Sequence, residues 1–319
     1  MKAIVIREFG PTEVMRLEEV PDPRPQAGEV LVRVHAIGVN PVDAYRRSGR
    51  YRALPALPYT PGSDAAGEVV ALGPGVERWR VGDRVYTDHR AAGAYAEYVC
   101  CHEDRLHPIP DGVGYPAAAA LGVPYATAYR ALFQRGQARA GERLLVHGAT
   151  GGVGLAAVQL AASAGLEVTG TGGTTEGRDE VIEQGAARAL DHHAPDHAER
   201  LAEAAPGGFD VILEMLANRN LAIDLRVLAP RGRVVVVGSR GEVEIDPRDL
   251  MSRETEVRGM TLANTPDDDL RSIHEALFAG LQEGTLRPVV AEELPLADAP
   301  AAHELVMRDG HRGKIVLIP

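Results

Sequence analysis

The segment Arg143-Leu-Leu-Val-His-Gly-Ala-Thr-Gly-Gly-Val-Gly-Leu155 carries the strongest fold signal in the chain. Its apolar start is typical of a central strand in a parallel sheet. Ala149, Gly151 and Gly154 follow at the spacing of a dinucleotide fingerprint, with alanine in the first glycine position. Such a turn must be tight, must let the backbone approach a pyrophosphate, and must let the next helix pack close to the strand.

The surroundings of this turn make the signal specific. An alanine-rich helical stretch runs from Gly152 to Ala164, and a second short strand, Leu166–Gly170, comes next. A strand, a glycine turn and a helix in this order predict a dinucleotide whose phosphates meet free backbone N–H groups at the positive end of a helix.

Strands and helices alternate through the middle of the chain, which predicts a doubly wound parallel sheet. The predicted strands are Leu144–His147, Leu166–Gly170, Ala189–Asp191, Val211–Glu214 and Val234–Val237, with Thr255–Leu262 as a sixth. The predicted helices between them are Gly177–Gln184, His197–Ala204 and Asn220–Leu228.

The first part of the chain predicts a compact, barrel-like β domain. Its strand candidates are Ala3–Ile6, Glu29–Ala36, Ala65–Ala71, Arg84–Tyr86 and Ala94–Val99. Residues 40–63 form a polar, aromatic and proline-rich loop, and loops of this length are more often functional than idle. The tail contains a helix, Asp268–Glu283, and a last strand, Lys314–Ile318, which we expect to return to the β domain.

Composition bounds the function. The 319 residues suit two domains. The net charge of −11 and the aromatic content of 4% argue against nucleic-acid binding, since that needs a basic face and stacking platforms. No apolar run approaches a membrane span, so we expect a cytoplasmic location. Lysine occurs only as Lys2 and Lys314, which disfavours a Schiff-base mechanism.

The end of the second strand indicates which dinucleotide is bound. An NAD enzyme usually places an acid there to hold the ribose 2′-hydroxyl. The chain instead has Gly170-Thr-Gly-Gly-Thr-Thr-Glu-Gly-Arg178, which suits the extra phosphate of NADPH, with Arg178 as its partner. The histidine-rich segment 191–197 lacks metal-site spacing; a loop beside the adenosine end fits better, with His192 facing the 2′-phosphate.

Three further groups of residues are candidates for the site. Val237-Gly-Ser-Arg-Gly241 closes the fifth strand at the edge where ligands bind, and it suits either a ligand contact or an ordinary β-turn. Asn218 and Asn220 follow the fourth strand and suit either a ribose or carboxamide contact or helix capping. Tyr45 and Tyr51 lie in the long loop with Asn40, and their phenols suit either proton donation to a carbonyl or core packing.

The chain resembles a known family, the zeta-crystallin-type quinone oxidoreductases of the medium-chain dehydrogenase/reductase superfamily. The resemblance extends from Met1 to Pro319. It is carried by long runs in fixed order: 34–49, 57–64, 123–132, 145–155, 214–218 and 232–241.

The resemblance implies an α/β fold with two domains. A GroES-like β-barrel catalytic domain would comprise residues 1–124 and 266–319, and a Rossmann NADPH-binding domain residues 125–265. The implied cofactor contacts are Tyr45, Thr150, Gly151, Gly152, Val153, Gly173, His192, Asn220, Val237, Gly238, Ser239, Arg240, Met260, Thr261 and Leu262. The implied substrate cleft lies at Asn40, Tyr45 and Tyr51.

The chain departs from the zinc-dependent branch of that superfamily. Those relatives carry a catalytic cysteine where this chain has Asn40 and a histidine where it has Ser63, together with a four-cysteine lobe that is missing here. We therefore expect no metal, and an acceptor that is electrophilic without one.

The expected activity is NADPH-dependent reduction of quinones in an interdomain cleft. Two alternatives stay open: NADPH-dependent reduction of the C=C bond of an alkenal or enone, and a binding role in RNA recognition or as a crystallin. The resemblance also favours a homodimer or homotetramer, and the strand 257–262 at the sheet edge could pair with its twofold mate.

Overall fold

A computed structural model describes all residues from Met1 to Pro319. The chain divides into two compact units, residues 1–123 with 287–319 and residues 124–286. The second boundary between the units lies between residues 286 and 287, whereas the prediction placed it between residues 265 and 266. The difference is the helix Asp267–Gln282, whose Leu270, Ile273 and Leu277 are buried within the second unit.

The first unit begins with β structure, as predicted. Its strands are β1 Lys2–Ile6, β2 Met15–Glu19, β3 Glu29–Gly38, β4 Asp64–Leu72, β5 Arg84–Thr87, β6 Tyr98–His102 and β7 Leu106–Pro108, and its helices are α1 Pro41–Arg47 and α2 Tyr115–Ala118. β3 is the central strand, antiparallel to both β4 and β6. Alternate residues of β3, among them Val30, Val32 and Val34, point into the core.

Two predictions in this region were wrong. Residues 40–63 are not all loop, because α1 lies inside them: proline occupies its first turn, and Asp43 accepts from the backbone N–H of Asn40 at 3.0 Å. The strand predicted at 94–99 is displaced to β6, because Ala96 instead makes an isolated bridge to Ala3 of β1.

The second unit contains the predicted parallel sheet. Its elements are α3 Pro124–Tyr129, β8 Arg143–Val146, α4 Gly152–Ser163, β9 Glu167–Gly172, α5 Thr175–Glu183, β10 Arg188–Asp191, α6 His197–Ala204, β11 Phe209–Glu214, α7 Ala217–Val227, β12 Leu228–Val236, α8 Pro247–Met251, β13 Glu256–Gly259 and α9 Asp267–Gln282. The strand order is β10-β9-β8-β11-β12-β13, and every pair is parallel. This is the strand order of a Rossmann domain.

The last part of the tail returns to the first unit, as expected, whereas its helix α9 belongs to the second unit. The elements of this last part are β14 Val290–Pro295, α10 Ala299–Leu305 and β15 Lys314–Ile318. β15 pairs antiparallel with the end of β3 and parallel with β14. No helix anywhere in the structure combines the length and the apolar character needed to span a membrane.

Candidate functional site

The glycine turn after β8 is as tight as the fingerprint requires. Gly148 has a φ of +59°, a conformation that favours glycine. A Cβ at Gly154 would lie 2.4 Å from the carbonyl oxygen of Gly148, so α4 can pack here only because this residue has no side chain. At Gly151, the N-cap of α4, the nearest atom would be 3.8 Å away, so this face of the turn is open to a ligand.

The alanine in the first fingerprint position is accommodated by a glycine on the neighbouring strand. Ala149 is fully buried, and its N–H donates to the carbonyl of Thr171 at 2.9 Å. A Cβ at Gly170 would lie 2.8 Å from the Ala149 methyl group. The missing side chain at Gly170 therefore makes the room that the extra methyl needs.

The end of β9 has no carboxylate of its own, and Arg178 reaches it from α5. The guanidinium donates to the carbonyl of Gly172 at 3.2 Å and to Thr175 Oγ1 at 3.1 Å. It also lies 3.3 Å from a carboxylate oxygen of Asp191 at the end of β10. The sequence did not reveal this ion pair, which orients the guanidinium from the neighbouring strand.

His192 and His193 stand beside the same strand end. Their rings lie 4.5 Å apart, edge to face. A Cβ at Gly173 would come within 2.9 Å of a ring nitrogen of each. The predicted cofactor residues Gly173, Arg178 and His192 therefore gather at one point of the sheet edge.

The edge formed by β11 and β12 is tied together by short polar contacts. Asn218 Oδ1 accepts from the backbone N–H of Arg240 at 2.8 Å, and Ser239 Oγ donates to the carbonyl of Gly241 at 2.9 Å. A Cβ at Gly238 would lie 2.6 Å from the carbonyl oxygen of Met215, so the two loops touch through a glycine. The predicted residues of the 237–241 loop thus lie beside the start of α7.

Thr150, Gly152 and Val153 complete the turn and the first turn of α4, and Thr150 is buried. Directly after β13, Met260 donates its backbone N–H to the carbonyl of Val236, the last residue of β12, at 3.1 Å. Thr261 and the buried Leu262 follow it beyond β13.

A buried acidic cluster that the sequence did not reveal lies behind this edge. Glu214, Asp224 and His147 are each at most 3% exposed. His147 Nε2 is 2.8 Å from Asp224 Oδ1 and 3.7 Å from Glu214 Oε2. The other oxygen of Glu214 accepts from Asn220 Nδ2 at 3.2 Å and from the backbone N–H of Leu216. The cluster therefore fixes Asn220, a predicted cofactor residue.

Burial controls the ionisation of this cluster. It raises the pKa of Glu214 to about 7 and that of Asp224 to about 7, because a carboxylate loses its hydration there, and it lowers the pKa of His147. One oxygen of each carboxyl group, Glu214 Oε2 and Asp224 Oδ2, has no hydrogen-bond partner. The raised pKa values favour a protonated state of the pair, in which one carboxyl group donates a hydrogen bond to the other.

The predicted site residue Asn40 lies in a closed polar cluster of the first unit. Its Oδ1 accepts from Lys314 Nζ at 2.6 Å, and its Nδ2 donates to Asp64 Oδ2 at 2.8 Å. Lys314 Nζ also lies 3.0 Å from Asp64 Oδ2. All three side chains are buried. The sequence assigned no pocket to Lys314, yet the structure places it beside a predicted site residue.

A second buried chain of contacts holds α1. Asp43 Oδ2 accepts from the Asn40 backbone and from the hydroxyl of Tyr95 at 3.3 Å, and that hydroxyl lies 3.1 Å from His303 Nε2. Burial raises the pKa of Asp43 to about 6 and lowers the pKa of His303 to about 3. Tyr45 and Tyr51, which belong to α1 and the turn after it, are thus carried by a helix with a fixed start.

The first unit contains a pocket of about 270 Å³. Its lining residues are Asp43, Arg46, Ala53, Leu54, Pro55, Tyr59, Thr60, Pro61, Gly62, Ser63 and Ala92. Arg46 also stands over the ring of Tyr51, with its guanidinium carbon 5.4 Å from the ring centroid. Asn40, Tyr45 and Tyr51 are not among the lining residues; Tyr51 borders the pocket through Arg46.

Tyr59 is the pocket residue that sequence reasoning missed. Its hydroxyl is buried without a hydrogen-bond partner. Burial, with the nearby Asp43 carboxyl, raises the pKa of Tyr59 to about 12, so the phenol keeps its proton at neutral pH. Tyr59 lies within the run 57–64, one of those that carry the family resemblance. Nothing in the sequence distinguished Tyr59 from the neighbouring prolines as a candidate site residue.

Comparison with known proteins agrees with this geometry. The family model for the alcohol dehydrogenase GroES-like domain matches residues 26–111, and the model for the zinc-binding dehydrogenase domain matches residues 152–278. The quinone oxidoreductase of Rattus norvegicus is 45% identical over all of this chain and 98% of its own length, and that of Homo sapiens is 43% identical over the same shares. The chain belongs to the zeta-crystallin-type quinone oxidoreductases.

Solved structures of this family have the same fold. The quinone oxidoreductase of Escherichia coli complexed with NADPH superposes with a TM-score of 0.91 at 30% identity, covering all of both chains. That of Pseudomonas syringae pv. Tomato DC3000 superposes with a TM-score of 0.90 at 32% identity, covering all of this chain and 99% of the other.

The name of one matching family model, which covers residues 152–278, raises the question of zinc. The residues at Asn40 and Ser63, where the resemblance places ligands of the zinc-dependent relatives, do not fit that ion. Protein zinc sites use thiolates, imidazoles and carboxylates. At Asn40 and Asp64 the chain instead places the ammonium group of Lys314. Ser63 offers a hydroxyl, and its backbone carbonyl accepts from Thr87 Oγ1 at 2.6 Å. A divalent cation beside a buried ammonium would meet like charge rather than a ligand set.

Proposed function

We propose that this protein is an NADPH-dependent quinone oxidoreductase that acts without a metal. The observation that carries the proposal is the end of β9, where the Arg178 guanidinium donates to the carbonyl of Gly172, the strand end itself carries no carboxylate, and the nearby Asp191 carboxylate of β10 is paired with Arg178. Full-length relatives named quinone oxidoreductase, and a relative solved with NADPH, support it.

Each part of the second unit has a proposed task. The backbone N–H groups from Thr150 to Val153 bind the pyrophosphate at the start of α4. Arg178 and His192 hold the 2′-phosphate, as the arginine donates several hydrogen bonds in a fixed geometry. We propose that the nicotinamide half of the cofactor contacts Asn220, residues 237–240 and residues 260–262. Bound NADPH supplies the reducing equivalents.

In the first unit we propose that Tyr45 and Tyr51 orient the acceptor, and that Tyr45 also contacts the cofactor. The 270 Å³ pocket supports an acceptor of modest size, and the Tyr59 phenol, protonated and without a partner, is a hydrogen-bond donor for an acceptor oxygen. No metal polarises the acceptor, so it must be electrophilic by itself, as quinones are.

Turnover of purified wild-type protein tests this directly. We expect NADPH to be oxidised faster with 9,10-phenanthrenequinone than with an alkenal such as acrolein. Faster reduction of the alkenal would replace the quinone assignment with a C=C reductase.

Two phenylalanine variants separate the roles of the hydroxyl groups. Tyr51→Phe and Tyr59→Phe should each lower kcat by about 10- to 100-fold, the usual range for a lost proton donor, while the Kd for NADPH stays close to wild type. Tyr98→Phe, a change of the same kind on β6 outside the pocket lining, is the control. Wild-type kcat in both variants would assign these tyrosines to packing.

We also propose a homodimer or homotetramer in the cytoplasm. β13 is the last strand of the parallel sheet, and Val257 on it is 40% exposed, which leaves an edge for a twofold mate. Light scattering of wild type and of Val257→Lys tests the interface: a monomer in both samples would remove it.

A further inference from the structure

A buried ammonium group in the first unit has no role in the function proposed so far. Lys314 begins β15, and its side chain is 4% exposed. The chain has only one other lysine, Lys2, which is exposed at the start of β1. A lysine is almost never buried to this degree unless its charge is compensated.

The partners of the Lys314 ammonium use all their polar side-chain atoms in hydrogen bonds within the protein. Asp64 uses Oδ2 for Lys314 and Asn40, and its Oδ1 accepts from the backbone N–H of Val123 at 2.8 Å. The amide of Asn40 receives the ammonium on Oδ1 and gives its N–H groups to Asp64 and to the carbonyl of Gly38, the latter at 3.4 Å. Neither polar atom of the Asn40 side chain is therefore left for a substrate.

The backbone makes room for this cluster at two glycines. A Cβ at Gly38 would lie 2.7 Å from Lys314 Cε, and a Cβ at Gly122 would lie 2.6 Å from Asp64 Oδ1. The side chain of Lys314 and the carboxylate of Asp64 thus fill space that the missing side chains of Gly38 and Gly122 leave open.

We propose that Lys314 is the resident cation of the catalytic unit and positions Asn40. Its ammonium stands between Asn40 and Asp64, beside the position at which the resemblance places a zinc-ligating cysteine in the zinc-dependent relatives. By holding the Asn40 amide it fixes the N-cap of α1, the helix that carries Tyr45. Lys314 and Asn40 are positioning residues; the consequence for turnover rests on the proposed quinone reduction, whereas the consequence for cation binding does not.

The physical consequence is a cation site that can be emptied and refilled. Lys314→Ala removes the ammonium and its stem and leaves Asp64 buried without its counter-ion. The loss of one partner of a buried ion pair should lower the Tm by roughly 10 °C. Small ammonium ions should enter the vacated space, so methylammonium chloride should raise the Tm of the variant, while sodium chloride at equal ionic strength and the bulky tetramethylammonium ion should not.

The effect on turnover should follow the same cation. In Lys314→Ala we expect kcat/KM for 9,10-phenanthrenequinone to fall on the order of 100-fold, since a small misplacement of an orienting helix has that effect, and to recover in part with methylammonium. Lys2→Ala is the matched control, because it removes the other lysine: it should show wild-type Tm and turnover and no response to amines.

A double variant separates positioning from simple charge neutrality. Lys314→Met with Asp64→Asn removes both charges and keeps the volume, so it should recover most of the Tm. Its turnover should stay low, because Asn40 Oδ1 still lacks its donor. Full turnover in the double variant, or a Lys314→Ala protein whose Tm ignores methylammonium, would overturn the proposal. Absent quinone turnover in wild type together with an amine-dependent Tm in Lys314→Ala would refute the proposed function and keep the cation site.

Discussion

Replacing Glu214 by glutamine should make the protein more stable at alkaline pH than the wild type. Glutamine keeps the oxygen that accepts from Asn220 and from the backbone of Leu216. It replaces the unpartnered Oε2 by an amide that can donate to the unpartnered Oδ2 of Asp224. The variant therefore supplies permanently the hydrogen that the two carboxyl groups otherwise take from solution.

The size of the effect follows from the pKa of Glu214, which burial raises from 4.5 to about 7. Because the folded-state value is the higher one, the contribution of Glu214 to stability is complete below about pH 4.5 and is lost as the pH rises through about 7. Each pKa unit corresponds to about 1.4 kcal/mol, so the full loss has an upper bound of about 3 kcal/mol. Between pH 5 and pH 8 we expect Glu214→Gln to gain roughly 1–3 kcal/mol over wild type.

Chemical denaturation at a series of pH values, without cofactor, measures this gain. Glu183→Gln is the control, because it removes a carboxylate from the exposed side of α5. The reasoning would be refuted by a difference between Glu214→Gln and wild type that does not change from pH 5 to pH 8, or by one that grows towards acid.

Two further predictions concern the cofactor site. Arg178→Glu should weaken NADPH relative to NADH by about 10- to 100-fold, the equivalent of one charged hydrogen-bonding partner, and an unchanged ratio of Kd values, with surface Arg188→Glu as control, would remove Arg178 from the site. Gly154→Ala should lower stability by about 1–3 kcal/mol because its methyl meets a backbone carbonyl. Gly151→Ala should keep the wild-type Tm and lose NADPH affinity; a fluorescence titration beside a thermal melt checks both.

The parallel sheet could be predicted because its signals are local. The strand before the glycine turn, the turn itself and the helix after it lie within one run of the chain, so hydrophobic period and turn chemistry suffice. The helix His197–Ala204 and the strand Lys314–Ile318 have the bounds that were predicted. The missing acid at the end of β9 is likewise a local fact, and the structure places Arg178 there.

The errors came where a distant segment decides the local conformation. Residues 94–97 have the composition of a strand, but Ala96 makes only an isolated bridge to Ala3, near the start of the chain. The strand β6 begins at Tyr98. α1 is short, polar and begins with proline, and its helical state depends on Asp43 reaching back to Asn40. Neither contact produces a hydrophobic periodicity in the sequence from which it could be predicted.

The buried charged residues could not be predicted from the sequence for the same reason. Lys314 meets Asn40 and Asp64 across about 250 or more positions of sequence, and His147 meets Asp224 across 77. In the sequence each of these residues is an ordinary polar side chain, in or beside a strand or, for Asp224, within helix α7. A charge is expensive to bury alone, so each persists only because the fold brings its partner to it. The two units contain different buried groups. In the first unit the Lys314 ammonium orients the helix α1, and in the second the protonated pair Glu214 and Asp224 orients Asn220. A fold whose relatives include metal enzymes can thus organise its site with charges from its own side chains, and the Lys314 and Glu214 variants measure the two devices separately.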